Sequence, residues 1–144
     1  MPTLEETIAW NTAIIADFRA NAGQITAGPM AGAPLLLLTT TGARTGLPRT
    51  QPLAYTRDGE RYVVIGSNAG KPEHPAWLAN ISKEPVVTVE VGAEAFQARA
   101  DLTAGTERRR LFDAQAAVMP GFAEYEKHTE RELPVVTLTP LGLG

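Results

Sequence analysis

The 144-residue chain contains no cysteine. That excludes a disulfide scaffold, a thiolate nucleophile and any Cys-ligated zinc or iron–sulfur centre. Histidine is almost as scarce. His74 and His128 stand far apart, and neither belongs to a metal-spaced cluster such as HExxH, so no metal is expected and both read as loop or surface residues. No apolar run approaches the ~18 residues of a membrane span; the best, Pro34-Leu35-Leu36-Leu37-Leu38, is strand length. The N-terminus has neither the basic start nor the long apolar stretch of a secretory signal. The expectation is a cytoplasmic protein without stable membrane insertion. Positive charge is also in deficit, 13 Lys+Arg against 16 Asp+Glu for a net of −3, which argues against a nucleic-acid surface. At this length one domain over residues 1–144 is expected, with the N-terminal helix within residues 1–22.

What is present alternates short β-like runs with turn signals. Thr3 followed three residues later by Glu6 matches a helix capping box. Leu4, Ile8, Ile15 and Phe18 follow at near-helical spacing, so residues 4–21 read as an amphipathic helix ended by Gly23. Its charges sum to −2, which favours packing on the domain over a membrane surface. Leu35–Thr41 reads as a strand, residues 42–48 as a Gly/Pro turn, and Arg49–Arg57 as a second strand whose Pro52 marks an edge or bulge. Asp58-Gly59 is a strong hairpin signal leading into a buried strand, Arg61–Gly66. Pro75 opens a short helix, Ala76–Ile81. Val86–Val91 and Ala95–Leu102 read as strands, the second with Phe96, Ala98, Ala100 and Leu102 on one face. Thr106–Val118 and Gly121–His128 read as helices, and Pro134–Thr139 as a last strand. Six strands joined mostly by short turns indicate a mainly β (α+β) fold, an antiparallel barrel with an N-terminal helix and short flanking helices.

Reaction signatures are weak. Gly66-Ser67-Asn68-Ala69-Gly70-Lys71-Pro72 fails as a P-loop: the glycine spacing is one residue short, and Pro72 replaces the magnesium-binding Ser/Thr. There is no GxGxxG and no GxSxG elbow. More informative are Arg44 and Arg49, which bracket the turn from Gly42 to Pro48. Two arginines, the Thr45 hydroxyl and exposed backbone N–H groups suit a phosphate; a solvated hairpin with ordinary surface arginines is the alternative. Residues 66–70 end a buried strand in small side chains that let a ligand lie on the backbone, or form a plain loop. Trp77 and Asn80 share a helical face, as do Phe122 and Tyr125. With Met119, the latter pair offers a roof for an aromatic substrate or an ordinary amphipathic face.

The run Leu37-Leu38-Thr39-Thr40-Thr41-Gly42-Ala43-Arg44-Thr45-Gly46-Leu47-Pro48-Arg49 resembles the signature of the deazaflavin-dependent nitroreductase family, split β-barrel proteins related to FMN-binding barrels. The likeness continues through Gln51-Pro52-Leu53, Asp58-Gly59, Gly66–Gly70, Pro75–Asn80 with Pro85, and Pro134-Val135-Val136, covering roughly residues 34–140. It implies a six-stranded split barrel that binds reduced 8-hydroxy-5-deazaflavin (coenzyme F-420). The coenzyme passes a hydride to an electron-poor acceptor such as a quinone or nitroarene. By the same resemblance Arg44, Thr45 and Arg49 hold the phosphate and acidic tail. Pro52, Ile65, Gly66, Ser67, Asn68, Ala76, Trp77 and Asn80 line or flank the ring. Met119, Phe122 and Tyr125 face the acceptor, and Ser67 or Tyr125 positions it or delivers a proton. The chain departs from the family pattern at Asn68, where Lys is frequent and Lys71 stands nearby. It departs again at Met119 and Phe122, where the nitro-reducing member has tyrosines, and at Ala54, which replaces a Tyr. The pocket is therefore expected to be greasier. FMN, haem or another ligand on the same barrel is the alternative, as is an interaction domain without catalysis. A homodimer fits the split-barrel class.

Overall fold

The computed structural model describes residues 3–28, 30–68 and 72–141. Helix α1 (Leu4–Ala20) begins where the capping box predicts: the Thr3 hydroxyl accepts the Glu6 amide at 3.1 Å. It stops where Gly23 turns left-handed (φ 89°) and returns its N–H to the Phe18 carbonyl at 2.8 Å. No larger residue fits there, because a Cβ at Gly23 would lie 2.5 Å from the Gly92 Cα. The inward face differs from the expected one. Ile14 and Phe18 are buried against Ile25, Leu35 and Leu37, whereas Ile8 is 55% exposed. The segment after the helix, not helical periodicity alone, decides which stripe is covered.

The strands are β1 (Leu35–Thr41), β2 (Pro48–Ala54), β3 (Thr56–Asp58), β4 (Arg61–Ile65), β5 (Val86–Val91), β6 (Glu94–Leu102) and β7 (Val135–Pro140). All pairings are antiparallel, in the order β2-β1-β5-β6-β7-β4-β3. The described residues hold seven strands, not the six expected. The predicted strand over 49–57 is divided at Tyr55. Its first half pairs with β1 at one end of the sheet, and its second half pairs with β4 at the other. One continuous stretch of chain thus occupies both edges, which curls the sheet toward closure. Pro52 lies on the edge strand β2, where its missing N–H is tolerated. Asp58 pairs with Arg61 across a two-residue loop, with Gly59 at φ 62°. Arg110 and Arg61 both bind the Asp58 carboxylate and hold its pKa down at about 2, so this hairpin stays ion-paired over the ordinary pH range.

Three apolar clusters follow from the alternation of side chains. Leu36 and Leu38 point into the barrel with Val64, Val87, Val89, Val136 and Leu138, and helix α2 (Ala76–Lys83) inserts Trp77 and Ile81 among them. Leu35 and Leu37 point outward under α1. Helix α3 (Gly105–Val118) lays Leu111 and Phe112 on Val63, Ile65 and Val135, with α4 (Gly121–Lys127) alongside. Both faces of β1 are therefore covered, which explains four consecutive buried leucines, each contributing about 1.5–3 kcal/mol. Leu102, expected on the inner face of β6, is 63% exposed at the strand end.

Candidate active site

The β1–β2 turn is a built structure. The Gly42 amide bonds the Leu47 carbonyl at 2.8 Å, the Gly46 amide bonds the Gly42 carbonyl at 2.9 Å, and Gly46 takes φ 72°. Asn80 of α2 fastens it from below. Its Oδ1 accepts the Ala43 amide and its Nδ2 donates to the Thr40 hydroxyl, both at 2.9 Å, while the Lys83 ammonium donates to the Ala43 carbonyl at 2.8 Å. The turn thereby holds Arg44 and Arg49 at the rim of a cleft of about 540 Å³, lined also by Thr45, Gln51, Ala76 and Trp77.

Eight of the ten arginines bond a carboxylate, a hydroxyl or a carbonyl of the protein. Arg44 and Arg49 are the two that make no such bond among the described residues. The Arg44 and Thr45 amides donate to no backbone acceptor among the described residues. Two exposed guanidiniums and two N–H groups without a backbone partner beside one cleft are a set of groups suited to an anion.

On the other side of β2 lies a smaller cavity of about 180 Å³. Pro52, Ile65, Ser67 and Phe122 line it, as do Trp10, Ile14 and Met30. Gln51 faces the first cavity and its neighbour Pro52 the second, so the two flank the edge strand. Ser67 is buried, and its hydroxyl makes no hydrogen bond among the described residues. Arg131 fixes this strand end by donating to the Gly66 carbonyl at 3.1 Å and the Ser67 carbonyl at 2.6 Å, and its contact with His74 Nδ1 is 3.0 Å. Burial lowers the Arg131 pKa from its ordinary value, against the pull of Glu73. Gly66 must stay small: a Cβ there would meet the Pro134 ring at 2.8 Å.

The structure thus divides the residues that the sequence grouped. Arg44, Thr45, Arg49, Ala76, Trp77 and Asn80 line the first cavity; Pro52, Ile65, Ser67 and Phe122 line the second. Trp77 is only 2% exposed and belongs mainly to the barrel core, and both polar ends of Asn80 are consumed in positioning the turn. Gly66 is buried beneath the site. Asn68 lines neither cavity; at φ 48° it donates to the Glu73 carbonyl at 3.0 Å and shapes the loop. Met119 and Tyr125 also line neither cavity, the Tyr125 ring standing edge-on to Phe122 at 6.0 Å. Ala69, Gly70 and Lys71 lie outside the described residues. Trp10, Asn11, Ile14 and Met30 were not legible as site residues, because they come from distant segments folded over β2. Trp10 carried the one visible signal, a large aromatic one turn before Ile14 on the same helix face.

Removing the Asn80 side chain strands the Ala43 amide and the Thr40 hydroxyl. Asn80→Ala is expected to lower stability by about 1–3 kcal/mol in denaturant unfolding. A loss below ~0.5 kcal/mol contradicts the bonding described.

A curled antiparallel sheet, with α2 closing its opening and an anion-ready turn beside it, defines the split-barrel class. Comparison with known proteins narrows the class. The profile of the F420H(2)-dependent quinone reductases matches residues 11–140. An F420H(2)-dependent quinone reductase of Mycobacterium tuberculosis strain H37Rv is 37% identical over 109 residues, covering 74% of this chain and 73% of that protein. The solved structure of an F420-H2 dependent reductase, FDR-A, superposes with TM-score 0.68 at 33% identity, covering 73% of this chain and 93% of its own. A structure described as a domain-swapped dimer superposes with TM-score 0.70 at 28% identity, covering 94% and 99%. The chain belongs to the F420H(2)-dependent quinone reductase family.

Proposed function

We propose that the protein is an oxidoreductase that binds the reduced deazaflavin coenzyme F-420 and reduces a quinone or a similarly electron-poor acceptor. The observation that carries this reading is the pair Arg44 and Arg49: the two arginines without a protein partner among the described residues stand around one cleft in an otherwise acidic chain. Residues present fit the coenzyme. Arg44, Thr45 and Arg49 receive its phosphate and acidic tail. Pro52, Ser67 and Ala76, which flank the edge strand β2, would hold its ring.

When bound, the coenzyme supplies a hydride, which with one proton converts a quinone to a hydroquinone and leaves the coenzyme oxidised. The chain's own part is placement and proton handling. Phe122 and Ile65 would hold the acceptor by apolar contact, and Ser67 and Asn11 are the residues with polar side-chain groups other than the Trp10 indole that line the smaller cavity. Tyr125 does not line that cavity, and we assign the role to Ser67. Titration of the purified protein with oxidised coenzyme, read by quenching of coenzyme fluorescence, is expected to saturate at micromolar concentration. No quenching in that range contradicts the proposal.

We also infer a homodimer, on the likeness to the domain-swapped dimer. Light scattering is expected to read twice the 15.4 kDa chain mass; a monomer mass contradicts it. No helix among the described residues is long and apolar enough to cross a membrane.

A further inference from the structure

Arg131 lines neither cavity, yet it grips the backbone on both sides of the Ser67 Cα. Its Nη1 donates to the Gly66 carbonyl at 3.1 Å and its Nη2 to the Ser67 carbonyl at 2.6 Å. We propose that Arg131 is a positioning residue for the reaction: its guanidinium aims the Ser67 hydroxyl at the acceptor without touching acceptor or coenzyme. The inference rests on the oxidoreductase reading and on the role given there to Ser67.

The Gly66 carbonyl belongs to the peptide plane before the Ser67 Cα, and the Ser67 carbonyl to the plane after it. One rigid, planar fork that holds both planes fixes φ and ψ of Ser67, and with them the direction of its Cα–Cβ bond. Only χ1 is then left to set, in a residue that is buried. The next residue makes such a hold necessary. Asn68 turns left-handed at φ 48°, a region that L side chains enter at a cost, and its own side chain is spent on the Glu73 carbonyl at 3.0 Å. A strand end that runs into such a turn keeps its geometry only where its surroundings hold it. The segment before β7 does so: the Pro134 carbonyl accepts the Gly66 amide at 2.8 Å, and Arg131 takes the two carbonyls that follow. The same Nη1 also reaches His74. A guanidinium has donors and no acceptor, so in this 3.0 Å contact the imidazole accepts through Nδ1 and carries its proton on Nε2. His74 directly precedes Pro75, which opens α2. Arg131 therefore ties the Ser67 end of the connection to its α2 end. α2 itself is anchored separately, by Trp77 in the barrel core and by Asn80 under the arginine turn. Loss of the guanidinium thus frees Ser67 and leaves the coenzyme cleft standing.

The test is steady-state turnover of reduced coenzyme F-420 with a methyl-substituted benzoquinone by four proteins: wild type, Arg131→Ala, Ser67→Ala and the double variant. A misplacement of about 1 Å can cost on the order of 100-fold in rate, so Arg131→Ala is expected to lower kcat about tenfold or more while the coenzyme Kd stays within about twofold of wild type. Ser67→Ala is expected to lower kcat comparably. The double variant is expected to lose no more than Ser67→Ala alone, because Arg131 acts through the hydroxyl that is then missing. Arg131→Lys keeps the charge but not the fork, so it is expected to recover kcat only in part. It also takes the place of Arg131→Ala in the four-protein comparison if melting curves show the alanine variant unfolded. Losses that multiply in the double variant, or an unchanged kcat in Arg131→Ala, overturn the proposal and spare the role of Ser67. An unchanged kcat in Ser67→Ala overturns that role and the proposal with it, while quinone reduction by the wild type still stands. Absence of turnover in the wild type overturns the oxidoreductase reading and everything that rests on it.

Discussion

Replacing Arg44 with alanine is expected to weaken coenzyme binding by about 1.5–3 kcal/mol, or roughly 10- to 150-fold in Kd, and Arg49→Ala by a similar amount. The reason is that neither guanidinium serves the fold. Both are exposed at a turn whose geometry is set by Gly42, Gly46, Asn80 and Lys83, so removing them costs binding without disturbing the scaffold. Melting temperature is therefore expected to stay near the wild-type value, which separates this pair from arginines such as Arg109 that bind two carboxylates of the chain. The double variant is expected to lose more than either single one, although less than the sum where one phosphate touches both. Arg44→Lys restores charge but not the planar pair of donors, so only partial recovery is expected. Affinity should fall as salt rises, since an exposed anion site is screened. An unchanged Kd in both alanine variants would make these ordinary surface residues and remove the main support for the assignment.

The largest effect on stability is expected at Trp77. This side chain is 2% exposed and packs in the barrel interior with leucines of β1 and valines of β4, β5 and β7. Trp77→Ala leaves a cavity in that core and is expected to cost about 3–5 kcal/mol, or roughly 10–20 °C in melting temperature for a domain of this size. The loss is not confined to packing. α2 carries Asn80, which fastens the arginine turn, and Ala76, which lines the same cleft. A looser α2 therefore lowers coenzyme affinity as well, whereas the arginine variants lower affinity alone. Trp77→Phe keeps most of the volume and is expected to fall in between. A destabilisation under ~1 kcal/mol for Trp77→Ala would contradict a core position.

The contrast between Arg44 and Trp77 marks what the sequence makes legible. β1 and β5 were readable to the residue, because a run of apolar or β-branched side chains between turn residues admits little else. The Asp58-Gly59 hairpin was readable because its loop needs a positive φ that Gly supplies. The division of one predicted strand at Tyr55 was not, since it arises when the chain leaves one edge of the sheet for the other, a long-range event with no local code. The same holds for α1. Its helical period was clear, but burial of Ile14 instead of Ile8 depends on where residues 25–37 lie. At the site, Arg44 and Arg49 stood out because charged residues bracket a Gly/Pro turn. Asn80 was recognised by family likeness as a residue of the coenzyme site, but its hold on the turn was not legible, because its two hydrogen bonds join positions 40 and 43 across half the fold. Tyr125 shares α4 with Phe122 and Met119 precedes that helix, yet spacing could not show that Phe122 alone of the three lines the smaller cavity.

The central claim is hydride transfer from the reduced deazaflavin to a quinone in a site this chain builds. The most direct measurement is anaerobic mixing of the protein, reduced coenzyme F-420 and a benzoquinone, following the return of the oxidised coenzyme's absorbance. The account predicts oxidation that scales with protein concentration and yields one hydroquinone per coenzyme. It also predicts that Arg44→Ala raises the coenzyme KM far more than it changes kcat. Coenzyme oxidation no faster than in the protein-free mixture, under conditions where the coenzyme is bound, would contradict it.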